Sequence, residues 1–255
     1  MIFNTLRFYS EALGMQTEVL VLLPQVGTAG EIGVDSGARS GPFKCLYLLH
    51  GLSDDQTIWM RRTSIERYAE AYGIAVVMPC GGRSFYTDMK KGQNYYTFVA
   101  KELPARICDT FNISAARRDN YIAGLSMGGY GALKIGLREC ARFSKIAAFS
   151  ACADIEDVRG VFDPDGAIFG ESDKVDAGDD LFLLADKYKD SELRPDVFMG
   201  VGTEDFLYDA NKRLCAHFRD LGYNICWRDS RGNHEWAFWD VYVQFALEWI
   251  FGRGD

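Results

Sequence analysis

The stretch that most narrows the folds open to this chain runs from Asn120 to Arg138. A short apolar run, Tyr121-Ile122-Ala123, passes into Gly124-Leu125-Ser126-Met127-Gly128, and Gly129-Tyr130-Gly131-Ala132-Leu133-Lys134 then opens a helix. Five letters of the pattern G-x-S-x-G recur by chance; a strand immediately before and a helix immediately after give them meaning. A chain that turns from strand to helix this tightly strains its central residue and needs small neighbours. The turn lifts Ser126 above the sheet and aims the first amides of the helix at any charge that develops there. Ser126 is therefore the candidate nucleophile, and the amide of Met127 a candidate donor to an oxyanion.

The rest of the chain supplies the sheet such a turn requires. Candidate strands fall at Leu6–Ser10, Gln16–Leu23, Phe43–Leu49, Ile74–Met78, Asn120–Ala123, Lys145–Ser150, Val197–Gly200 and Tyr223–Arg228. The first two flank a Gly14 turn and partly alternate, as an antiparallel hairpin at a sheet edge does. From Phe43 onward the runs are nearly unbroken apolar, as for strands covered by helices on both faces. Candidate helices lie between them at Thr57–Tyr72, Tyr95–Phe111, Met127–Arg138, Tyr208–Leu221 and Ala237–Phe251. The alternation predicts a three-layer α/β fold with a mostly parallel eight-stranded sheet and an antiparallel N-terminal edge. Residues 1–255 read as one domain. The Gly- and Ser-rich stretch Gln25–Pro42 reads as a mobile surface loop, and the acidic, irregular stretch Asp154–Asp190 as a small cap insertion or a plain surface excursion.

A serine hydroxyl becomes a nucleophile when a base removes its proton. The chain has only three histidines, His50, His217 and His234. In this kind of fold the partners follow in the order Ser, acid, His, which excludes His50. His217 lies in a helical run, whereas His234 lies in a Gly- and Asn-containing loop after the last candidate strand, where a base can project. His50 reads as a brace for its own loop. The acid belongs on the loop after Val197–Gly200, where Asp205 is preferred and Glu204 is the alternative. The second oxyanion donor belongs on His50-Gly51-Leu52-Ser53-Asp54, with the Leu52 amide preferred and Ser53 next. Trp59, Phe206, Leu207 and Trp236 are the candidate substrate-pocket residues, with Tyr86, Tyr95 and Tyr96 as further candidates near the strand ends.

Composition acts mainly by exclusion. Lys and Arg number 28 and Asp and Glu 36, a net charge of −8, which disfavours nucleic-acid and anionic-membrane partners. Seven cysteines form no CxxC pair and no metal-ligand spacing, so neither a metal nor another cofactor is expected. The N-terminus lacks a basic stretch followed by an unbroken apolar one, and no apolar run approaches a membrane span; a cytoplasmic protein with a small-molecule partner is expected, with self-association left open.

Further blocks extend the pattern. LLHGLSDDQTIWMRRTSIERYAEAYGIAVVMPCGGRSFYTD, ELPARI, YIAGLSMGGYGALK, GTEDFLYDANKRL and GNHEWAFWD together resemble the esterase D-like family of α/β-hydrolases, nearest its tributyrin-esterase branch of short-chain acyl esterases. The resemblance covers nearly the whole chain after Thr5. It implies the α/β-hydrolase fold, a Ser126–Asp205–His234 triad, oxyanion amides at Leu52 and Met127, and hydrolysis of short acyl esters through an acyl-enzyme. The family also includes S-formylglutathione hydrolases, feruloyl and acetyl esterases and extracellular mycolyltransferases. S-formylglutathione hydrolases typically carry a His where this chain has Leu125, and a Cys in the oxyanion loop that Gly51–Ile58 lacks. Thioester hydrolysis is thus the second expectation, and a catalytically silent binding module the reading from another class.

Overall fold

The computed structural model describes residues 1–27 and 41–252. The expectation for Gln25–Pro42 falls largely on residues 28–40, outside the described residues. Eight strands form one sheet: β1 (Ile2–Ser10), β2 (Met15–Leu23), β3 (Cys45–Leu49), β4 (Ala75–Pro79), β5 (Asn120–Leu125), β6 (Lys145–Phe149), β7 (Asp196–Gly202) and β8 (Ile225–Ser230). Their order is β1-β2-β4-β3-β5-β6-β7-β8. β1 pairs antiparallel with β2, and β2 antiparallel with β4; every later pairing is parallel. This is the α/β sheet with an antiparallel N-terminal edge that the sequence pattern predicts.

Helices α1 (Ile58–Arg62), α2 (Ile65–Tyr72), α3 (Tyr95–Thr97), α4 (Leu103–Thr110), α5 (Met127–Arg138), α6 (Ile155–Phe162), α7 (Leu181–Tyr188), α8 (Tyr208–Asp220) and α9 (Trp236–Phe251) cover the sheet. Alternation along β3 shows the two layers. Cys45, Tyr47 and Leu49 join the core under α4, α5 and α8, while Leu46 and Leu48 join the core under α2 and α9.

Three elements depart from the sequence reading. The helix expected over Thr57–Tyr72 is two helices, because the Thr63 hydroxyl donates to the Trp59 carbonyl (2.6 Å) and accepts from the Ile65 amide (3.1 Å). That side chain substitutes for backbone bonds and ends α1. The helix expected over Tyr95–Phe111 contains a π-helical turn at Phe98–Glu102, just before Pro104. Proline has no N–H to donate, so the ladder widens ahead of it. The acidic stretch 154–190, between β6 and β7, carries two helices rather than being irregular throughout. Its α7 is capped by Asp180, whose carboxylate accepts from the Phe182 and Leu183 amides.

Candidate active site

The elbow is built from close backbone approaches. A Cβ at Gly124 would lie 2.3 Å from the Gly128 carbonyl oxygen, and one at Gly128 would lie 2.6 Å from the backbone oxygens of Leu49 and His50. Only glycine lets β5 turn into α5 against β3 at this distance. Between them Ser126 sits at φ 54°, ψ −118°, a conformation side chains rarely adopt. Its amide donates to the Phe149 carbonyl (2.8 Å), and its own carbonyl accepts from Tyr130 and Cys152. Strain is thus held by three backbone bonds, and the hydroxyl stays accessible at the C-terminal end of the sheet.

His234 and Asp205 arrive there from the loops after β8 and β7. His234 Nε2 lies 3.0 Å from Ser126 Oγ, and His234 Nδ1 lies 2.9 Å from Asp205 Oδ2. Asp205 is buried, and burial by itself raises its carboxyl. Hydrogen bonding and charge from His234, then bonds from the Leu207 amide (2.9 Å) and the Ser150 hydroxyl, outweigh this and hold it below the ordinary carboxylate value. Asp205 therefore stays ionised and can fix His234 with its Nδ1 proton inward. Glu204, the alternative acid, is turned outward to Arg231 and Asn233.

On the opposite side His50 braces the loop Gly51–Asp54, the candidate source of the second oxyanion donor. His50 Nδ1 donates to the Gly51 carbonyl (2.7 Å), and Nε2 accepts from the Gly81 amide (2.8 Å). Burial, the largest influence, lowers the His50 pKa, in keeping with this neutral tautomer. Burial, the largest influence, raises the Asp54 carboxyl above its ordinary value, against the nearby His50 ring and the Gly51 backbone. Neither the Leu52 nor the Met127 amide is spent on a backbone carbonyl among the described residues.

A cavity of about 580 Å³ opens above Ser126. Its walls are Gly51–Asp54, Leu125, Cys152, Phe85, Phe162, Phe206, Glu235, Trp236 and Trp239, with His234 and Ser126 at the floor. Of the four pocket candidates, Phe206 and Trp236 line this cavity. The Phe206 ring packs 4.8 Å from the His234 ring, and the Trp239 edge meets His234 from another side at 4.8 Å.

Trp59 and Leu207 are corrections. Trp59 stands behind the wall, edge-on to Trp236, with its indole N–H donating to the Leu49 carbonyl (3.0 Å). Leu207 turns into the core; what it lends the site is its amide to Asp205. Tyr86 and Tyr96 spend their hydroxyls on the His50 carbonyl and Glu139, and Tyr95 packs on the core; none lines the cavity.

Sequence reasoning missed Ser150, Trp239, Phe85 and Phe162. Ser150 had one visible signal: it ends its strand as Ser126 ends the neighbouring one, and it too has a positive φ, 45°. Its hydroxyl accepts from the Trp239 indole (3.1 Å) while contacting Asp205.

The family model described as "Putative esterase" matches residues 10–245. The chain belongs to that family. This esterase is 30% identical to an acetyl esterase of Caldicellulosiruptor saccharolyticus, over 96% of each chain. Its fold overlays the fluorophosphonate-binding serine hydrolase FphF of Staphylococcus aureus with a TM-score of 0.89, at 32% identity over 100% of this chain and 99% of that one. An S-formylglutathione hydrolase, FrmB of the same organism, overlays with a TM-score of 0.86, at 32% identity over 98% of both chains. The esterase is a carboxylic ester hydrolase with the α/β-hydrolase fold. Among its described residues no helix is long and apolar enough to cross a membrane.

Proposed function

We propose that this esterase hydrolyses short-chain acyl esters of small neutral alcohols, acylated carbohydrates among them, through an acyl-enzyme on Ser126. The observation that carries the reading is the unbroken chain from Ser126 Oγ to His234 (3.0 Å) to Asp205 (2.9 Å) at the floor of an apolar cavity. His234 Nε2 takes the Ser126 proton as Oγ attacks the acyl carbon, and the carbonyl electron pair moves onto oxygen. The Leu52 and Met127 amides receive that charge; one such donor lowers the barrier by about 3–4 kcal/mol. Collapse breaks the ester C–O bond, and the departing alkoxide takes the proton from His234. Water repeats the sequence on the acyl-enzyme and returns Ser126. Asp205 keeps the imidazole oriented and offsets its positive charge.

A cavity of about 580 Å³ suits a short acyl group with a small alcohol. The likeness to an acetyl esterase supports that size, and the likeness to an S-formylglutathione hydrolase supports a thioester instead. Charge favours the ester. Among the described residues, Asp54 and Glu235 line the cavity and neither Lys nor Arg does, so the two carboxylates of glutathione would meet like charge. We place the enzyme in the cytoplasm, because all seven cysteines are free, as a reducing compartment keeps them.

Two measurements test this reading. Ser126→Ala is expected to abolish ester hydrolysis and fluorophosphonate labelling with thermal stability retained; near wild-type turnover by that variant would sink the mechanism. Wild-type kcat/KM is expected to be higher for acetyl and butyryl aryl esters than for S-formylglutathione, and the reverse order would move the assignment to the thioester.

A further inference from the structure

Helix α5 leaves the nucleophile with Tyr130, Lys134 and Arg138 spaced four residues apart, one stripe along its surface. All three donate to one point of the cap. The Tyr130 hydroxyl donates to the Asp179 carbonyl (2.6 Å), the Lys134 ammonium to the Asp179 carboxylate (3.1 Å), and the Arg138 guanidinium to the Gly178 carbonyl (3.2 Å). Lys134 has no exposed surface. Its other two protons point away from the cap, to the Phe85 carbonyl (3.2 Å) and the Thr87 hydroxyl (2.5 Å). An ammonium has three donors, and all three are used.

The turn that Lys134 reaches is strained. Phe85 and Tyr86 are consecutive, fully buried and both at φ 50°. Bulky residues persist in that region only where their surroundings over-determine them. For Tyr86 the determinants are the Ser84 hydroxyl on its amide, the His50 carbonyl on its hydroxyl, and the Gly81 and Gly131 surfaces against its ring. For Phe85 they are Lys134 and Thr87 on its carbonyl. The Phe85 ring lines the cavity and packs against Phe162 (6.2 Å) and Phe169 (5.6 Å), both from the cap; Phe162 lines the cavity as well. One ammonium thus fixes both halves of an aromatic wall whose parts come from segments far apart in sequence.

We propose that Lys134 is a positioning residue for substrate selectivity: by tying Asp179 of the cap to the Phe85–Thr87 turn, it holds Phe85 and Phe162 together and limits the length of acyl group the cavity admits. This rests on the ester-hydrolysis reading above. Lys134 touches no substrate; it acts through the turn it strains and the cap it anchors.

The test is a series of p-nitrophenyl esters from acetate to octanoate. It is run on wild type, Lys134→Met, Asp179→Asn, the double variant, Thr87→Val and Phe162→Ala. Stoichiometric fluorophosphonate labelling confirms an intact Ser126 in each preparation. The expected result is a rise of at least about tenfold in the octanoate-to-acetate ratio of kcat/KM in Lys134→Met and Asp179→Asn, the size expected when a wall stops excluding a few methylenes. The double variant should show no more than the larger single effect, because both substitutions open one joint. Thr87→Val removes a single hydroxyl and should shift the ratio in the same direction by less. If Lys134→Met does not fold, Asp179→Asn and Thr87→Val carry the test. Ratios within twofold of wild type in labelled variants would overturn the proposal, leaving Lys134 a stability element only. Phe162→Ala separates the two readings. If it leaves the ratio unchanged, the wall itself does not select acyl length; if it raises the ratio while the Lys134 and Asp179 variants do not, the wall stands and Lys134 does not set it.

Discussion

Asp205 and Asp179 are both buried aspartates that face a basic side chain, His234 at 2.9 Å and Lys134 at 3.1 Å. Around Asp205, hydrogen bonds outweigh burial and the carboxylate is held ionised. Around Lys134 burial wins, and despite Asp179 the ammonium is pushed down to about 8. The His234–Asp205 pair joins two loops at the open end of the sheet, and in the proposed mechanism its imidazole gains and loses a proton in every turnover. The cap pair is locked between a helix, a strained turn and an insertion, and nothing in the reaction asks its charge to change. A buried ion pair can therefore stand for either chemistry or positioning, and the neighbours decide which.

The comparison breaks most visibly under isosteric amide substitution. Asp205→Asn keeps the shape but loses the charge that sets the His234 tautomer, so kcat on an acetyl ester should fall by roughly 10⁴, the size seen for this change in a triad of the same geometry. Asp179→Asn should lower the same kcat by less than about tenfold, since it acts on cavity shape rather than on proton transfer. Equal losses in the two variants, with unfolding midpoints matched, would mean that the cap pair belongs to the reacting machinery.

A second contrast uses the backbone. Ala at position 128 would drive a Cβ to 2.6 Å from the carbonyl oxygens of Leu49, the last residue of β3, and His50, the first of the loop after it, and neither can retreat without moving that loop. Gly128→Ala should cost about 1–3 kcal/mol of stability and lower ester turnover sharply, read by urea midpoint and kcat. Wild-type kcat in this variant would show that the oxyanion loop tolerates displacement.

These outcomes also mark what a sequence can convey. The elbow was legible because strand, small residues and helix are contiguous, and the Ser126–Asp205–His234 candidates because they follow in chain order the ends of three parallel strands, β5, β7 and β8. Trp59 and Leu207 were misread because nearness in sequence does not set side-chain direction. Leu207 lies two residues from Asp205, yet the turn sends its amide to the carboxylate and its side chain to the core. The wall was hidden for a different reason. Phe85 and Phe162 meet only when the cap docks, and the lysine that docks it reads in sequence as one more helical residue.

pH sharpens the comparison by sign. Both Asp205 and Lys134 have pKa values lowered by folding, so for each the unfolded chain binds more protons across an interval, and stability rises with pH through it. For Asp205 the contribution is present above the ordinary carboxylate value and is lost as pH falls toward its folded value. For Lys134 burial imposes a cost that is full below about pH 8 and vanishes as pH climbs toward the ordinary lysine value of 10.5. Other groups titrate in that alkaline range, so the measurable quantity is a difference. The stability of wild type relative to Lys134→Met should rise from pH 8 to 10.5, by urea denaturation, and parallel curves would contradict a Lys134 pKa lowered by burial.

The smallest effect belongs to Gly160, in the middle of α6, two residues before Phe162. It is exposed, its φ is not positive, and a Cβ there would meet nothing within 4 Å. Gly160→Ala should therefore stabilise the enzyme by about 0.5–1 kcal/mol, through helix propensity and lost freedom in the unfolded chain. In a domain of this size that is a rise of about 1–3 °C in Tm. Its use lies in what should stay constant. If the position of Phe162 is set by the Lys134–Asp179 joint, firming the helix that carries it leaves the octanoate-to-acetate ratio unchanged. A higher Tm with a shifted ratio would instead mean that fraying of α6 governs the wall, and the joint would lose its claim on selectivity.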